Sequence, residues 1–170
     1  MKIMFVSDVH GKSKYLLEIK SIYDIEKPDK IIFLGDMYYG SYSSIDEIDN
    51  ILLSFSNKYI LRGNCDSDID VLTSPFGFLN FYTFEAFNKK FYCSHGNRYN
   101  ITNYPEEEFD VMVYGHTHKG MIIKDRNKYF LNPGSISLPR GESVNSYMII
   151  DDKGIYLKDL KQNVINKLLW

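Results

Sequence analysis

Short apolar runs alternate with helical stripes along the first part of the chain, and hairpin-like pairs of runs replace them later. Lys2 to Ser7 reads as a buried strand, and Tyr15, Leu16, Ile19, Ile22 and Tyr23 recur on one helix face until Pro28 closes it. Lys30 to Leu34 is a second buried strand. Ser44, with Glu47 three positions on, has the form of a capping box for a helix whose stripe is Ile45, Ile48, Ile51, Leu52 and Phe55. Tyr59 to Leu61 adds a third strand, and the order β-α-β-α-β calls for a parallel sheet with right-handed crossovers. Further on, Phe78 to Phe87 and Lys90 to Ser94 pair about Asn88, and Val111 to Tyr114 ends at Gly115. Met121 to Lys124 pairs with Tyr129 to Leu131, and Ser146 to Ile150 with Ile155 to Leu160, each across a polar turn. An open α/β half followed by an antiparallel meander predicts two sheets packed face to face with helices outside.

Composition narrows the class. The chain has 170 residues, 44% of them hydrophobic and 25% charged, as expected of one soluble domain spanning residues 1–170 with a sizeable core. No repeat, low-complexity tract or linker divides it. A net charge of -2 and a pI of about 6.1 leave no polybasic surface, so neither bulk nucleic acid nor a membrane is an expected partner. The run Ile3 to Val6 is too short for a signal-peptide core or a membrane span, and the expected compartment is the cytoplasm. Cys65 and Cys93 cannot make a disulfide framework and are expected to be free thiols.

Candidate chemistry concentrates where apolar runs end. All four histidines lie in Asp8-Val9-His10-Gly11, His95-Gly96-Asn97 and Gly115-His116-Thr117-His118; Gly35-Asp36 and Arg62-Gly63-Asn64-Cys65-Asp66 complete the series. In an extended strand, residues i and i+2 point the same way, so Asp8 with His10, and His116 with His118, can face one site. Asp36 and Asn64 close the second and third strands, near the carboxyl edge of a parallel sheet where ligands bind in open α/β folds. Taken singly, Asp36 reads equally as a turn former, Asn64 as a turn residue tolerant of positive φ, and His95 as a satisfied loop histidine. Together they form a mixed oxygen and nitrogen donor set suited to manganese, iron, zinc, nickel or cobalt, and too large for one tetrahedral ion. Two metals sharing a bridging carboxylate would use it.

The order Asp-x-His, Gly-Asp, Gly-Asn-x-Asp, His-Gly and Gly-His-x-His resembles the calcineurin-like metallophosphoesterase superfamily, from Ser7-Asp8-Val9-His10-Gly11 to Asn132-Pro133-Gly134-Ser135. Within it, Arg62-Gly63-Asn64-Cys65-Asp66 and the compact length are most similar to the small YfcE-type phosphodiesterases. The resemblance implies a four-layer α/β/β/α sandwich of two mixed sheets. It implies two divalent ions, manganese first, with Asp8, His10 and His118 on one, Asn64, His95 and His116 on the other, and Asp36 bridging. Hydrolysis of a small phosphate ester would then proceed by in-line attack of a hydroxide held between the ions, without a covalent protein intermediate. Thr117 and Gly115 would shape their loop and Asn97 a turn.

Asp36, Asn64, Cys65, Asp66 and His95 form the expected catalytic set, with one departure. Many members carry histidine where this chain has Cys65, a position thought to contact the phosphate or protonate the leaving group. A thiol of ordinary pKa near 8.5 stabilises less, and losing one proton-transfer partner costs on the order of 10² to 10⁴ in rate; esters with acidic leaving groups should be preferred. Asp66 would orient a histidine, or else cap a helix starting at Ser67. Arg62, Arg98 and Arg140 are the cations available for substrate, with surface salt bridges as the alternative. Phe76, Phe78, Phe81, Tyr82, Phe84 and Phe87 suggest core between the sheets, and secondarily a homo-oligomer interface.

Other readings are a phosphomonoesterase or nucleotide pyrophosphatase, and a protein-interaction scaffold of the same fold, as in a retromer subunit. The scaffold lacks a complete set of metal histidines, whereas His10, His95, His116 and His118 are all present here. The pair His116 and His118 alone would fit an amidohydrolase or a metallo-β-lactamase, but the former places its pair near the first strand and the latter needs an Asp-His that Lys119-Gly120 does not supply.

Overall fold

Strands made of continuous apolar runs need cover on both faces, and that need organises the chain. In the computed structural model, which describes residues 1–39 and 45–170, β1 (Lys2–Val6), β2 (Lys30–Phe33) and β3 (Lys58–Leu61) lie side by side in parallel. Phe5 stands opposite Ile32, and Ile32 opposite Tyr59. Between these strands run α1 (Ser13–Glu26) and α2 (Ile45–Leu53), whose Leu16, Ile19, Ile22, Ile48 and Leu52 pack on Met4, Val6, Ile31 and Phe33. The first helix ends where Lys27 turns left-handed, just before Pro28. The capping box expected at Ser44 falls outside the described residues.

Antiparallel β10 (Ser146–Asp151), β11 (Gly154–Asp159) and β12 (Val164–Leu169) extend one edge of this sheet, and β4 (Phe78–Leu79) the other, in the order β12-β11-β10-β1-β2-β3-β4. The second sheet runs β5-β6-β7-β9-β8, from β5 (Phe81–Ala86), β6 (Lys89–Ser94), β7 (Val111–Tyr114), β8 (Gly120–Asp125) and β9 (Lys128–Pro133). Between the sheets, Phe5, Ile32, Leu34 and Met148 meet Phe91, Cys93, Val113 and Leu131. The expected sandwich of two mixed sheets is therefore present. On the far side of the five-stranded sheet, Tyr92, Met112 and Phe130 are covered by Tyr99, Ile101 and Phe109. That outer layer is irregular chain over residues 95–110 rather than helix.

Three details depart from the sequence reading. The run Phe78 to Phe87 is two strands, parted at Asn80: β4 pairs in parallel with β3, and β5 crosses over to pair with β6. The aromatic residues divide accordingly. Phe76 and Phe78 join the helix-side core, Tyr82, Phe84 and Phe87 the core between the sheets, and Phe81 stays 43% exposed. The second half is not purely antiparallel, because residues 95–110 bring the chain back to lay β7 parallel to β6, and β9 is parallel to β7. The strand β12 was not legible, being mostly exposed, and the helix expected from Ser67 is only the short α3 (Asp68–Thr73), held by a Ser67 and Asp70 capping box rather than by an apolar stripe. No helix among the described residues is long and apolar enough to cross a membrane.

Candidate metal centre

Five strand ends supply the polar residues, but not in the extended geometry that i, i+2 spacing suggests. Asp8 (φ 56°), His10 (φ 48°), Asp36 (φ 53°), His116 (φ 63°) and His118 (φ 60°) are all left-handed. Each such non-glycine residue costs about 1–2 kcal/mol, and their clustering is the mark of backbone held in place by its surroundings. The holding contacts are visible. The His10 N–H donates to the Asp36 carbonyl at 2.9 Å, and the Asp8 carbonyl accepts from the Ser135 and Ser137 hydroxyls at 2.7 and 3.0 Å. Close approach is secured by glycine: a Cβ on Gly63 would lie 2.1 Å from Asp36 Oδ1, and one on Gly115 1.9 Å from Ser7 Oγ.

Both carboxylates are arranged alike. Asp8 Oδ2 accepts from the His116 N–H at 3.1 Å, while its buried Oδ1 has no hydrogen-bond partner and faces His118 Nε2 at 3.3 Å and His10 Nε2 at 3.9 Å. Asp36 Oδ1 accepts from the Cys65 N–H at 2.8 Å, and its Oδ2 lies 3.6 Å from His10 Nε2 and 3.3 Å from His95 Nε2. His10 and His118 bring their Nε2 atoms within 3.2 Å. Donor atoms of Asp8, His10, Asp36 and His118 all fall within 4.8 Å of one another. An ion with bonds of about 2.0–2.2 Å requires neighbouring donors roughly 3–4 Å apart, so the cluster fits one. Leaving a buried acceptor unsatisfied otherwise costs about 1–3 kcal/mol.

The imidazoles are aimed by carbonyls. His95 Nδ1 lies 2.8 Å from the Leu34 carbonyl and His118 Nδ1 2.6 Å from that of Leu138, which places the ring proton on Nδ1 and turns the Nε2 lone pair inwards. The Nδ1 of His10 is buried without a partner, and the Tyr39 ring packs edge-on 5.6 Å from its own. A second group of donors adjoins the first. Asn64 Oδ1 is 3.1 Å from His95 Nε2, and the His116 ring is 5.2 Å from that of His95. Asn64 is exposed and His116 half-buried, so this side opens outward.

Electrostatics separate the groups further. Burial pushes Asp8 up to about 6 and His10 down to about 4. Burial also pushes Asp36 up, but the hydrogen bond and charge of His95 override it and hold the carboxyl down at about 2. His95 is the converse: burial lowers it and the Asp36 carboxylate more than restores it, for a net rise. The half-buried Cys65 thiol is pushed up to about 12 by burial and by Asp36, and is neutral at physiological pH.

The remaining expected residues separate. Asp66 neither orients a histidine nor caps α3. Its buried carboxylate accepts from the N–H groups of Asp36, Met37, Tyr38 and Gly63 at 2.8–2.9 Å, joining the loops after β2 and β3. Ser67 is the helix cap. Arg62 is taken by Asp68, at 2.5 Å, and by the Asp66 carbonyl. Arg98 is exposed, its guanidinium 5.1 Å over the Tyr99 ring. Arg140 donates its backbone N–H to the His118 carbonyl, and its charge adds to the burial that lowers His10 and His116. Asn132 was missed as a support: its amide binds the Gly115 carbonyl and the Thr117 hydroxyl at 2.7 and 3.0 Å. A cleft of about 520 Å³ opens beside Asn64 and His95, with Phe81, Tyr92 and Arg98 on its walls.

Residues 1–154 match the model of the calcineurin-like phosphoesterase superfamily domain. The chain belongs to that superfamily. It is a homologue of phosphodiesterase YfcE of Escherichia coli (strain K12), with 29% identity over 162 residues, 89% of this chain and 88% of YfcE. The solved structure of that E. coli phosphoesterase superposes with a TM-score of 0.87 at 24% identity, covering 99% of both chains. Vps29 of Entamoeba histolytica complexed with Zn2+ shares the fold, with a TM-score of 0.66 at 20% identity over 99% of this chain and 97% of the other. The chain is thus a phosphoesterase-family protein with a buried Asp and His cluster able to bind metal.

Proposed function

We propose that this chain, acting as one domain over residues 1–170, is a phosphodiesterase for small esters, with two divalent ions at its centre. The observation that carries the reading is Asp36 Oδ2, a single oxygen within 3.6 Å of His10 Nε2 and 3.3 Å of His95 Nε2, and so shared by two donor groups. Asp8, His10 and His118 would hold one ion, Asn64, His95 and His116 the other, with Asp36 common to both. Bound there, the ions supply Lewis acidity, lowering the pKa of a water towards neutrality and offsetting phosphoryl charge. Manganese is proposed first, and nickel, iron, zinc and cobalt suit the same donors.

The protein's own groups define what kind of ester is accepted. Cys65 stands beside Asn64, 3.5 Å from its amide nitrogen, and its thiol, pushed up to about 12 by burial and by Asp36, lies far from the near-neutral pKa that suits a general acid. Esters whose leaving groups are stable anions, such as aryl esters, therefore suit the site. Arg98, free of carboxylate partners in the hydrogen bonds and ion pairs described, is the cation best placed to meet phosphate in the cleft. Neither nucleic acid nor a membrane is proposed as a partner, the compartment is the cytoplasm, and self-association is left to measurement. A scaffold role, which likeness to Vps29 would suggest, makes no use of seven converging donors.

Metal analysis of protein purified with added manganese should give two ions per chain, and the loaded protein should hydrolyse bis(p-nitrophenyl) phosphate faster than p-nitrophenyl phosphate. One ion per chain would overturn the shared-carboxylate reading. Two ions with no turnover of either ester would favour the scaffold.

A further inference from the structure

The cleft beside the centre has walls that bare phosphate does not need. Phe81 opens β5, pairs opposite Ser94, the residue before His95, and lines the same cleft as Asn64 and His95. One face of that ring lies on Tyr92, with centroids 5.5 Å apart and planes 13° from parallel, yet Phe81 remains 43% exposed. Tyr92 itself is 1% exposed, and its hydroxyl is buried without a hydrogen-bond partner. Asn80, Arg98 and Glu107 complete a largely polar lining around the aromatic wall, and the volume of about 520 Å³ is that of a small-molecule site.

We infer that this cleft is a subsite for a nucleoside carried on the phosphate as the group that stays, its base stacked on Phe81. The inference rests on the phosphodiesterase reading and extends it to a substrate class. A flat π-system uses the free part of the Phe81 ring, and base–aromatic stacking is tolerant of sequence because every base presents such a face. An aliphatic group offers nothing to the Asn80 and Glu107 side chains that line the cleft, whereas the edges of a base and sugar offer both donors and acceptors. Arg98, above Tyr99, reaches the same space with a planar cation suited to phosphate.

The test compares two diesters with the same leaving group, the p-nitrophenyl ester of thymidine monophosphate and methyl p-nitrophenyl phosphate. In both, the oxygen of water adds to phosphorus, the bond to p-nitrophenolate breaks, and the group in the cleft stays on phosphate. The native protein should favour the nucleoside ester in kcat/KM by about 10-fold, a ratio within the reach of one stacked base. Phe81→Ala should bring the ratio towards one, and Phe81→Tyr should restore it. A ratio near one in the native protein, or one that Phe81→Ala leaves intact, would overturn the subsite while leaving the phosphodiesterase reading in place. Calorimetric titration with thymidine monophosphate separates the opposite failure. If neither ester is hydrolysed but binding weakens about 10-fold in Phe81→Ala, the activity falls and the subsite stands; absence of both hydrolysis and binding removes both.

Discussion

His116 and His118 are separated by a single residue, yet they stand in different surroundings. His118 is 3% exposed, fixed at Nδ1 by the Leu138 carbonyl and packed against His10 and Asp8. His116 is half-buried and beside exposed Asn64, on the side where the cleft opens. Both residues are left-handed, and the His118 ring meets Asp8 and His10 while the His116 ring meets His95. On the two-ion reading proposed above, the buried, carbonyl-braced half would retain its ion and the open half would expose its own to a ligand. One carboxylate joins them, so the halves should fail in different ways when they are broken separately and together when Asp36 is changed.

The largest effect is expected at that joint. Asp36→Asn keeps an acceptor for the Cys65 N–H but removes the shared charge; bound metal should fall at both positions and activity by orders of magnitude, and retention of either ion at full occupancy would break the comparison. Next is Asp66→Ala, which strips four buried N–H groups of their acceptor. With about 1–3 kcal/mol for each unsatisfied group before relaxation, thermal unfolding should shift down by ~10 °C or more.

A direct comparison of the halves comes from single alanine variants. His118→Ala should lose one ion and about 1–3 kcal/mol of stability, as for other buried polar residues, whereas His116→Ala should lose the other ion with stability changed by no more than about 0.5 kcal/mol. Equal losses of stability would erase the difference in surroundings. The smallest effect is reserved for Cys65→His. Both ions should stay, and the ratio of aryl-ester to alkyl-ester turnover should narrow as a more acidic group replaces the thiol; an unchanged ratio would mean that the leaving group draws its proton from elsewhere.

The placement of the polar residues was legible in the sequence because they lie at the ends of apolar runs: Asp8, His10, Asp36 and His118 form one group of donors, His95 adjoins Asp36, and Asn64 and the His116 ring adjoin His95. Their backbone was not. Positive φ is ordinarily read from glycine or asparagine, and here aspartate and histidine adopt it under compulsion from tertiary hydrogen bonds. Asp66 was misread for a related reason, since its partners are backbone N–H groups of a distant loop and carry no side-chain signature. The break at Asn80 was hidden because aromatic residues continue on both sides of it, so the apolar pattern gives no sign that the chain changes sheets. The strand β12 is mostly exposed and lacks the alternation by which strands are recognised.

The oxygens of Asp8 and Asp36 that are tied to backbone N–H groups bear on which ions can enter. A carboxylate free at both oxygens can swing to widen its bite, as flexible calcium sites do. Here each is moored at one oxygen to a strained loop, so widening the ring means moving main chain rather than rotating a side chain. Calcium, which prefers bonds of about 2.3–2.6 Å and six to eight oxygens, would have to force that main chain apart. The smaller transition ions would not, and on the metal-centre reading proposed above the mooring would make the cage a gauge of ionic radius.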